Sequence, residues 1–219
     1  VTGDQTISMW LKPASLDDRR NPYAKAYRGE GTITQEPDGQ VNYYWGVSGA
    51  NAQPYQGFTM TDPVEIDKWV HLVLVRDLTT GNLRWYKDGI KTDEVGAEFK
   101  EAVPSDYGAY IGRGYVRNYD GLIKDVRIYD RVLSESEIQS LHDGENITSG
   151  IVGHWPLDEA IGNLAYDQSG NNNDGDIYGA QWTFPAPVLE FDGVDDYIST
   201  NYTHESDGGT LSYWYLSDG

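Results

Sequence analysis

The sequence reads WVHLVLVR over residues 69–76 and NLRWYK over residues 82–87. Apolar and polar side chains alternate in both stretches with the two-residue period of a β-strand, whose successive side chains point to opposite faces. Asp88-Gly89 follows directly and is typical of the tight turn of a β-hairpin, so residues 90–95 are predicted to form the returning strand. Together these segments predict an antiparallel sheet.

Short runs of the same kind continue along most of the chain and are separated by Gly, Asn, Asp and Pro. They predict further strands at residues 6–12, 40–47, 107–112, 121–129, 151–157, 180–183, 188–191 and 195–199. One short helix is predicted near residues 134–142, where Ser134 can cap a segment whose Ile138 and Leu141 share a face. Many short strands with almost no helix predict an all-β protein, an antiparallel β-sandwich or jelly roll.

Charge and composition exclude several classes of function. The chain of 219 residues carries 16 Lys and Arg against 35 Asp and Glu, a formal net charge of −19. Nucleic acids and anionic membrane surfaces attract clustered positive charge, so neither is expected as a partner. The sequence has no cysteine, which excludes disulfides, thiolate zinc sites and a cysteine nucleophile. No stretch approaches the roughly 18 apolar residues of a membrane helix, so membrane insertion is not expected.

Three parts of the sequence resemble the laminin-G-like, concanavalin A-like family of lectin and glucanase jelly rolls. The most specific is YDGLIKDVRIYDRVLSESEI over residues 119–138, which is similar to that family's G-x-I-D-[DE]-V-R-I-Y signature. Residues 68–89 resemble its W-x-H strand and its hairpin, and residues 154–198 resemble the opening of a module. One departure is Lys124, which stands where the family often has an acid. The resemblance covers nearly the whole chain and implies the same sandwich.

The order of these parts differs from the order in the family, where the opening strands precede a T-x-S-x-W strand. Here residues 1–145 resemble the main part of a module, and residues 146–199 resemble its opening strands. Residues 200–219 resemble the start of a repeated strand, because TLSYW at residues 210–214 matches TISMW at residues 6–10. The chain reads as a segment of a longer protein. The opening strands are expected to complete the same sandwich, as a circular permutation, or to be exchanged with a neighbouring sandwich.

Two acidic segments are candidates for calcium. The loop DQSGNNNDGD over residues 167–176 places oxygen ligands at alternate positions, Asp167 and Asn171 among them, as a wrapping calcium loop requires. An ordinary Asn-Gly turn is the alternative. The resemblance implies a structural calcium ion near Asp192, facing Asp125 on the V-R-I-Y strand. A solvated hairpin is the alternative there.

Candidate sugar-binding residues are aromatic rings with polar neighbours, because a ring can stack on the C–H face of a pyranose while polar groups fix its hydroxyls. Tyr115 and Tyr119 lie in a predicted loop and are expected at the surface, whereas most strand tryptophans, including Trp10 and Trp69, are expected in the core. The candidates for carbohydrate binding are Tyr44, Arg113, Tyr115, Arg117, Asn118 and Tyr119.

The sequence lacks the paired carboxylates of a glycosidase strand and a histidine spacing that would hold a metal, so no catalysis is expected. Two glycosylation sequons, at Asn146 and Asn201, favour a secreted chain. These features predict a non-catalytic extracellular or cell-surface module that binds glycans or cell-surface proteins. One alternative is a structural repeat of a surface filament, sheath or virion, assembled by strand exchange between copies of the chain. The other is an accessory module of a glycoside hydrolase.

Overall fold

A computed structural model describes residues 1–48, 54–184 and 187–202 of the chain. In chain order the strands are β1 (Gln5–Pro13), β2 (Arg20–Ala26), β3 (Gly31–Gln35), β4 (Val41–Gly46), β5 (Tyr55–Met60), β6 (Val70–Asp77), β7 (Asn82–Lys87), β8 (Ile90–Gly96), β9 (Tyr110–Ile111), β10 (Arg117–Asn118), β11 (Asp120–Tyr129), β12 (Ile151–Trp155), β13 (Leu164–Ala165), β14 (Gly175–Tyr178), β15 (Gln181–Trp182), β16 (Leu189–Asp192) and β17 (Tyr197–Thr200). The single helix within these ranges, α1, spans Glu135–His142.

The described strands form two sheets packed face to face. The first sheet has eight strands, in the order β15-β16-β11-β1-β6-β7-β8 with β12 also paired to β11. The second has nine, in the order β13-β14-β17-β9-β2-β3-β4-β5 with β10 also paired to β2. Every pairing is antiparallel except that of β10 with β2. The prediction of an all-β antiparallel sandwich with one short helix is therefore confirmed.

Strands from the late part of the chain lie inside both sheets. In the first sheet, β12 and β16 pair with β11, and in the second, β17 lies between β14 and β9. Trp85, Trp155 and Phe191 belong to one core and are fully buried. Residues 151–200 thus complete the sandwich begun by residues 1–129. The repeated motif at residues 210–214 lies outside the described residues.

Six strands, β2, β3, β5, β10, β13 and β14, were not predicted from the sequence, and β2 and β3 are the two with a clear physical reason. Alternation of apolar and polar residues predicts a strand with one face in the core and one face in solvent. Strands β2 and β3 are buried on both faces. Thr32 and Thr34, on the side of β3 opposite the core residue Ile33, are covered as well. A strand covered on both sides does not show the two-residue pattern of apolar and polar residues.

The expectation that Trp10 and Trp69 lie in the core is wrong. Met9 and Leu11 on β1, and Val70 at the start of β6, point into the sandwich and are nearly inaccessible. Because side chains alternate along a strand, the neighbouring indoles of Trp10 and Trp69 point out of the first sheet and are only half-buried.

Helix α1 packs on the outward face of the first sheet. Ser134 and Glu137 form a capping box, in which each side chain bonds the other's backbone N–H. Ile138 and Leu141 then pack with Val73 and Tyr129 in a second, smaller core. The helix covers part of this face and leaves the rest open. No helix in the described ranges is long and apolar enough to span a membrane.

We predict that Phe191→Ala lowers the free energy of unfolding by about 3–5 kcal/mol, the usual result of deleting a buried aromatic ring. Phe191 is fully buried and packs closely on Gly112 of the opposite sheet. Phe184→Ala removes the same atoms from a ring that is 72% exposed and is the matched control. Urea unfolding of both variants measures the difference. Equal losses in the two variants would contradict the shared core.

Candidate functional site

The outward face of the second sheet is rich in tyrosine. On β4, Val41, Tyr43 and Trp45 point into the core, so Asn42 and Tyr44 point outward. The same alternation along β9, β14 and β17 sends isoleucines inward and tyrosines outward. These outward rings gather into two clusters.

The first group, which we call the Tyr115 cluster, consists of Tyr27, Tyr44, Tyr55 and Tyr115. The rings of Tyr27 and Tyr115 stack with centroids 3.8 Å apart, and Tyr44 meets Tyr115 edge-on at 6.2 Å. Tyr55 lies 5.7 Å from Tyr27 and 6.2 Å from Tyr44. Tyr115 remains 37% exposed, so the cluster presents ring surface to solvent.

Arg19 holds the hydroxyl groups of this cluster in place. Its Nη2 donates to Tyr115 Oη at 2.9 Å and to Tyr44 Oη at 3.3 Å, while the Glu36 carboxylate accepts from both Nε and Nη2. Burial raises the pKa of Tyr115 and of Tyr44, so both phenols stay protonated at neutral pH. The phenol oxygens can therefore both donate and accept hydrogen bonds.

Arg28 adds a guanidinium to the other side of the cluster. Its Cζ lies 4.9 Å from the ring centroid of Tyr27 and 4.4 Å from that of Tyr55, within cation–π range. No carboxylate of a described residue pairs with it. Contacts with ring faces do not use the N–H groups of a guanidinium, so the N–H groups of Arg28 can donate to a ligand.

Buried Asn21 positions the loop that carries Tyr115. Its Oδ1 accepts from Val116 N at 3.0 Å, and its Nδ2 donates to Ile33 O and Thr34 Oγ1, both at 2.9 Å. Thr34 Oγ1 is in turn 3.1 Å from Tyr115 Oη. The loop therefore lies over the sheet in a fixed position. No local sequence pattern predicts this contact, since Asn21 and Val116 are 95 positions apart.

A second group, the Tyr197 cluster, lies at the other end of the same face. Tyr178 and Tyr197 stack at 4.5 Å with an angle of 15° between their planes, and Tyr110 lies 6.0 Å from Tyr197. Arg113 lies over Tyr197 at 4.4 Å and over Tyr110 at 5.4 Å. This cluster repeats the combination of ring and guanidinium found in the Tyr115 cluster.

The structure separates the predicted sugar-binding residues. Tyr44 and Tyr115 belong to the Tyr115 cluster, and Arg113 belongs to the Tyr197 cluster. Arg117 forms an exposed ion pair with Asp18, and Asn118 Nδ2 donates to Val194 O at 3.3 Å. Tyr27 was not expected at the site, and nothing in its local sequence marks it.

The prediction that Tyr119 lies at the surface is wrong. Its side chain has no accessible surface and belongs to the main core. Tyr119 N donates to Gly112 O at 2.8 Å, which closes the loop and turns the ring inward just before β11 begins. Tyr119 therefore supports the fold and is unavailable to a ligand.

An acidic turn lies between β16 and β17. Asp192, Asp195 and Asp196 each place a carboxylate oxygen within 4.8 Å of the others. Asp196 is only 4% exposed, and its Oδ2 accepts from Asp192 N at 2.7 Å. Burial, with the nearby charges of Asp192 and Asp195, raises the pKa of Asp196. Three close carboxylates of this kind favour a cation among them.

Asp125 does not take part in this turn, so the expected pairing of Asp125 with Asp192 is wrong. Asp192 lies opposite Asp120 on β11, which places Asp125 five residues further along the strand, about 16 Å away. There Asp125 accepts from Arg127 Nε at 2.7 Å and pairs with His154 Nε2 at 2.8 Å. These two partners hold the pKa of Asp125 below its usual value despite burial.

The loop at residues 167–176 is organised by hydrogen bonds of its own. Asp167 accepts from the backbone N–H groups of His154, Ser169 and Asn173, each at 2.9 Å. Asn171 Nδ2 donates to Ile151 O at 3.2 Å and to Ser169 Oγ at 3.0 Å. These contacts are typical of a turn built on Asp and Asn side chains. Calcium at Asp167 and Asn171 stays a prediction.

The chain is similar to a known family and to several solved structures. Residues 1–139 match the family model of the concanavalin A-like lectin/glucanases superfamily. A protein from Bacteroides ovatus, assigned provisionally to carbohydrate binding, superposes with a TM-score of 0.65 at 21% identity, over 80% of this chain and 52% of that one. Domain 4 of AbnA, an extracellular GH43 arabinanase from Geobacillus stearothermophilus solved with arabinotriose, gives 0.52 at 20% identity, over 64% of this chain and 67% of that one.

One curated relative is much longer than this chain. The adhesion G-protein coupled receptor V1 of Danio rerio is 28% identical over 154 residues, which is 65% of this chain and 2% of the receptor. The match therefore covers one small part of that receptor. It indicates that domains of this kind occur inside large proteins.

We predict that Asp196→Asn stabilises the metal-free protein at pH 7, raising the midpoint of thermal unfolding by roughly 2–4 °C. Because the folded state raises the pKa of Asp196, that carboxyl stabilises the fold below its unfolded pKa, and this stabilisation is lost as the pH rises through its folded pKa. Asparagine can still accept from Asp192 N. Thermal unfolding in chelator at pH 7 and pH 3 measures the effect, which should disappear at pH 3.

Asp106→Asn is the control for this prediction, because it removes the same charge from an exposed site. An equal gain in that variant would assign the effect to net charge and contradict the role of the acidic turn.

Proposed function

The chain belongs to the concanavalin A-like lectin/glucanases superfamily, and from that premise we propose that it is a non-catalytic recognition module that binds carbohydrate on the outward face of its second sheet. The observation that carries the proposal is the Tyr115 cluster. It combines exposed ring surface, hydroxyl groups held by Arg19, and the guanidinium of Arg28, which pairs with no carboxylate in the described part of the chain. Ring faces and fixed polar groups are the two parts that recognition of a pyranose requires.

The proposed site is broad enough for more than one sugar unit. The Tyr115 and Tyr197 clusters lie on one face. The first lies beside β3, β4 and β5, the second lies on β9, β17 and β14, and β2 runs between these two groups of strands. Each cluster offers its own ring surface and its own guanidinium. We propose that an oligosaccharide lies across the strands and contacts both clusters.

We propose an extracellular or cell-surface setting, with glycans or glycosylated cell-surface proteins as partners. Support comes from the likeness to part of an adhesion receptor and to a domain of an extracellular arabinanase. The second of these also favours an accessory module of a glycoside hydrolase as a second candidate, which would use the same binding face. Assembly with copies of the chain stays a prediction, and residues 151–200 already pair within their own sandwich.

We propose further that the acidic turn binds calcium through Asp192, Asp195 and Asp196. Calcium takes carboxylate oxygens as ligands, and the three carboxylates lie close enough together to share one ion. A bound cation would remove the unfavourable charge of buried Asp196. The ion would stiffen the turn between β16 and β17, which adjoins the Tyr197 cluster through Tyr197 itself.

The sugar proposal predicts that Tyr115→Ala weakens binding about tenfold or more, equivalent to about 1.4 kcal/mol or more. The variant removes the ring that stacks on Tyr27 and is held by Arg19. The wild type is first screened on a glycan array, and its strongest ligand is then titrated by calorimetry into both proteins. Tyr107→Ala, which removes an equally large exposed ring outside the clusters, should leave the affinity unchanged.

Absence of any glycan ligand for the wild type would contradict the proposal, as would unchanged affinity of the Tyr115→Ala protein. Thermal unfolding of the variant shows whether it remains folded.

The calcium proposal predicts that millimolar calcium raises the midpoint of thermal unfolding of the wild type relative to chelator, because an ion that binds only the folded state stabilises it. The Asp196→Asn protein should lose most of this response, and the Asp106→Asn protein should keep it. An identical response in all three proteins, or no response in the wild type, would rule out calcium at the acidic turn.

A further inference from the structure

A cleft of about 680 Å³ opens on the outward face of the first sheet, on the opposite side of the sandwich from the tyrosine clusters. It lies where helix α1 ends at His142 and leaves the sheet uncovered. Its lining includes Trp10 and Lys124 from the sheet, His142 from the helix, and Asp158, Gln168 and Val188 from later segments. A volume of this size is typical of sites for small organic ligands.

Lys124 is the unusual residue of this cleft. Its neighbours Ile123 and Val126 are fully buried, and its own side chain points out of the sheet. Nζ lies 5.3 Å from the ring centroid of Trp10 and 4.7 Å from that of Trp69. No carboxylate of a described residue lies within ion-pair distance of it, although the chain has 35 acidic residues.

The other basic groups that line the cleft, Arg127, His142 and His154, each lie within ion-pair distance of a carboxylate. Arg127 pairs with Asp125 at 2.7 Å and also donates to Asn146 Oδ1 at 3.1 Å. His71, which lies against Trp10, has its pKa lowered to about 4 by burial and by the nearby His142. Lys124 is therefore the positive group of the cleft that remains available to an anion.

The rest of the lining suits a polyhydroxylated ligand. Asp158 is exposed and forms no ion pair with a described residue, so its carboxylate can accept from hydroxyl groups. Gln168 offers both a donor and an acceptor. Trp10 and Val188 supply apolar surface beside these groups. A peptide helix would need a long apolar groove, and this cleft has a mixed polar and apolar lining instead.

We propose that this cleft is a second, independent binding site for an acidic sugar. The sugar carboxylate pairs with Lys124, and its hydroxyl groups bond to Asp158 and Gln168. The proposal also accounts for the sequence departure at Lys124, since lysine in place of an acid reverses the charge presented to a ligand. The site does not depend on the tyrosine clusters, because the two lie on opposite faces of the sandwich.

The test follows the indole N–H signals of the seven tryptophans by NMR. Galacturonate, glucuronate and N-acetylneuraminate are titrated to tens of millimolar, and galactose and glucose serve as the neutral counterparts. At least one acid should shift the Trp10 signal, which a Trp10→Phe variant identifies, and the neutral sugars should not. Lys124→Gln should weaken that response about tenfold or more, as expected for loss of a charge-assisted hydrogen bond.

Two further variants separate a binding role of Lys124 from a structural one. Lys124→Arg keeps the charge and should retain the response. Lys12 lies on the same face of β1 as Trp10, and its Nζ lies 3.6 Å from Asp67 Oδ1. Lys12→Gln removes this already paired charge and should leave the response unchanged.

The proposal is overturned if none of the three acids shifts the Trp10 signal, if neutral sugars shift it equally, or if Lys124→Gln responds like the wild type. Tyr115→Ala should not alter the response. Loss of glycan binding at the Tyr115 cluster and loss of acid binding at Lys124 are therefore separate results.

Discussion

The burial of Trp155 and Phe191 in the same core as Trp85 is the constraint on which the rest of the structure depends. Trp85 comes from the first half of the chain and the other two rings from the second half, and all three help to fill the space between the two sheets. Their burial fixes β12 and β16 against β11, and β17 against β9. Because the core is closed by residues from one chain, both outward faces remain available for other roles.

Alternation of side chains along each strand decides which residues fill the core and which face solvent. The residue that fills the core and the residue that faces solvent are neighbours in sequence, as Tyr43 and Tyr44 show. The second sheet sends tyrosines outward, and the first sheet sends Trp10 and Trp69 outward. Each outward face thus carries aromatic side chains at positions where packing of the core requires no aromatic residue.

In a chain with 35 acidic and 16 basic residues, a basic side chain without a carboxylate partner in the described structure is unusual. Arg28, Arg113 and Lys124 each lie over aromatic rings and have no carboxylate partner among the described residues. Most other basic side chains, such as Arg84 and Arg131, are paired with acids. Cation–π contacts hold a positive charge without neutralising it, so these three side chains keep their charge.

The sequence by itself determined the class of fold, most strands, the capped helix and the tyrosine content, because these depend on local periodicity and on turn residues. It also placed Tyr44 and Tyr115 among the candidate ligand-binding residues. Only the tertiary structure decided that Tyr119 is buried, that Tyr27 and Tyr55 join Tyr115, and that Asp125 lies far from Asp192. The reason is physical: these outcomes depend on strand register and on a loop held by Asn21, and such contacts join residues many positions apart that leave no periodic trace in the chain.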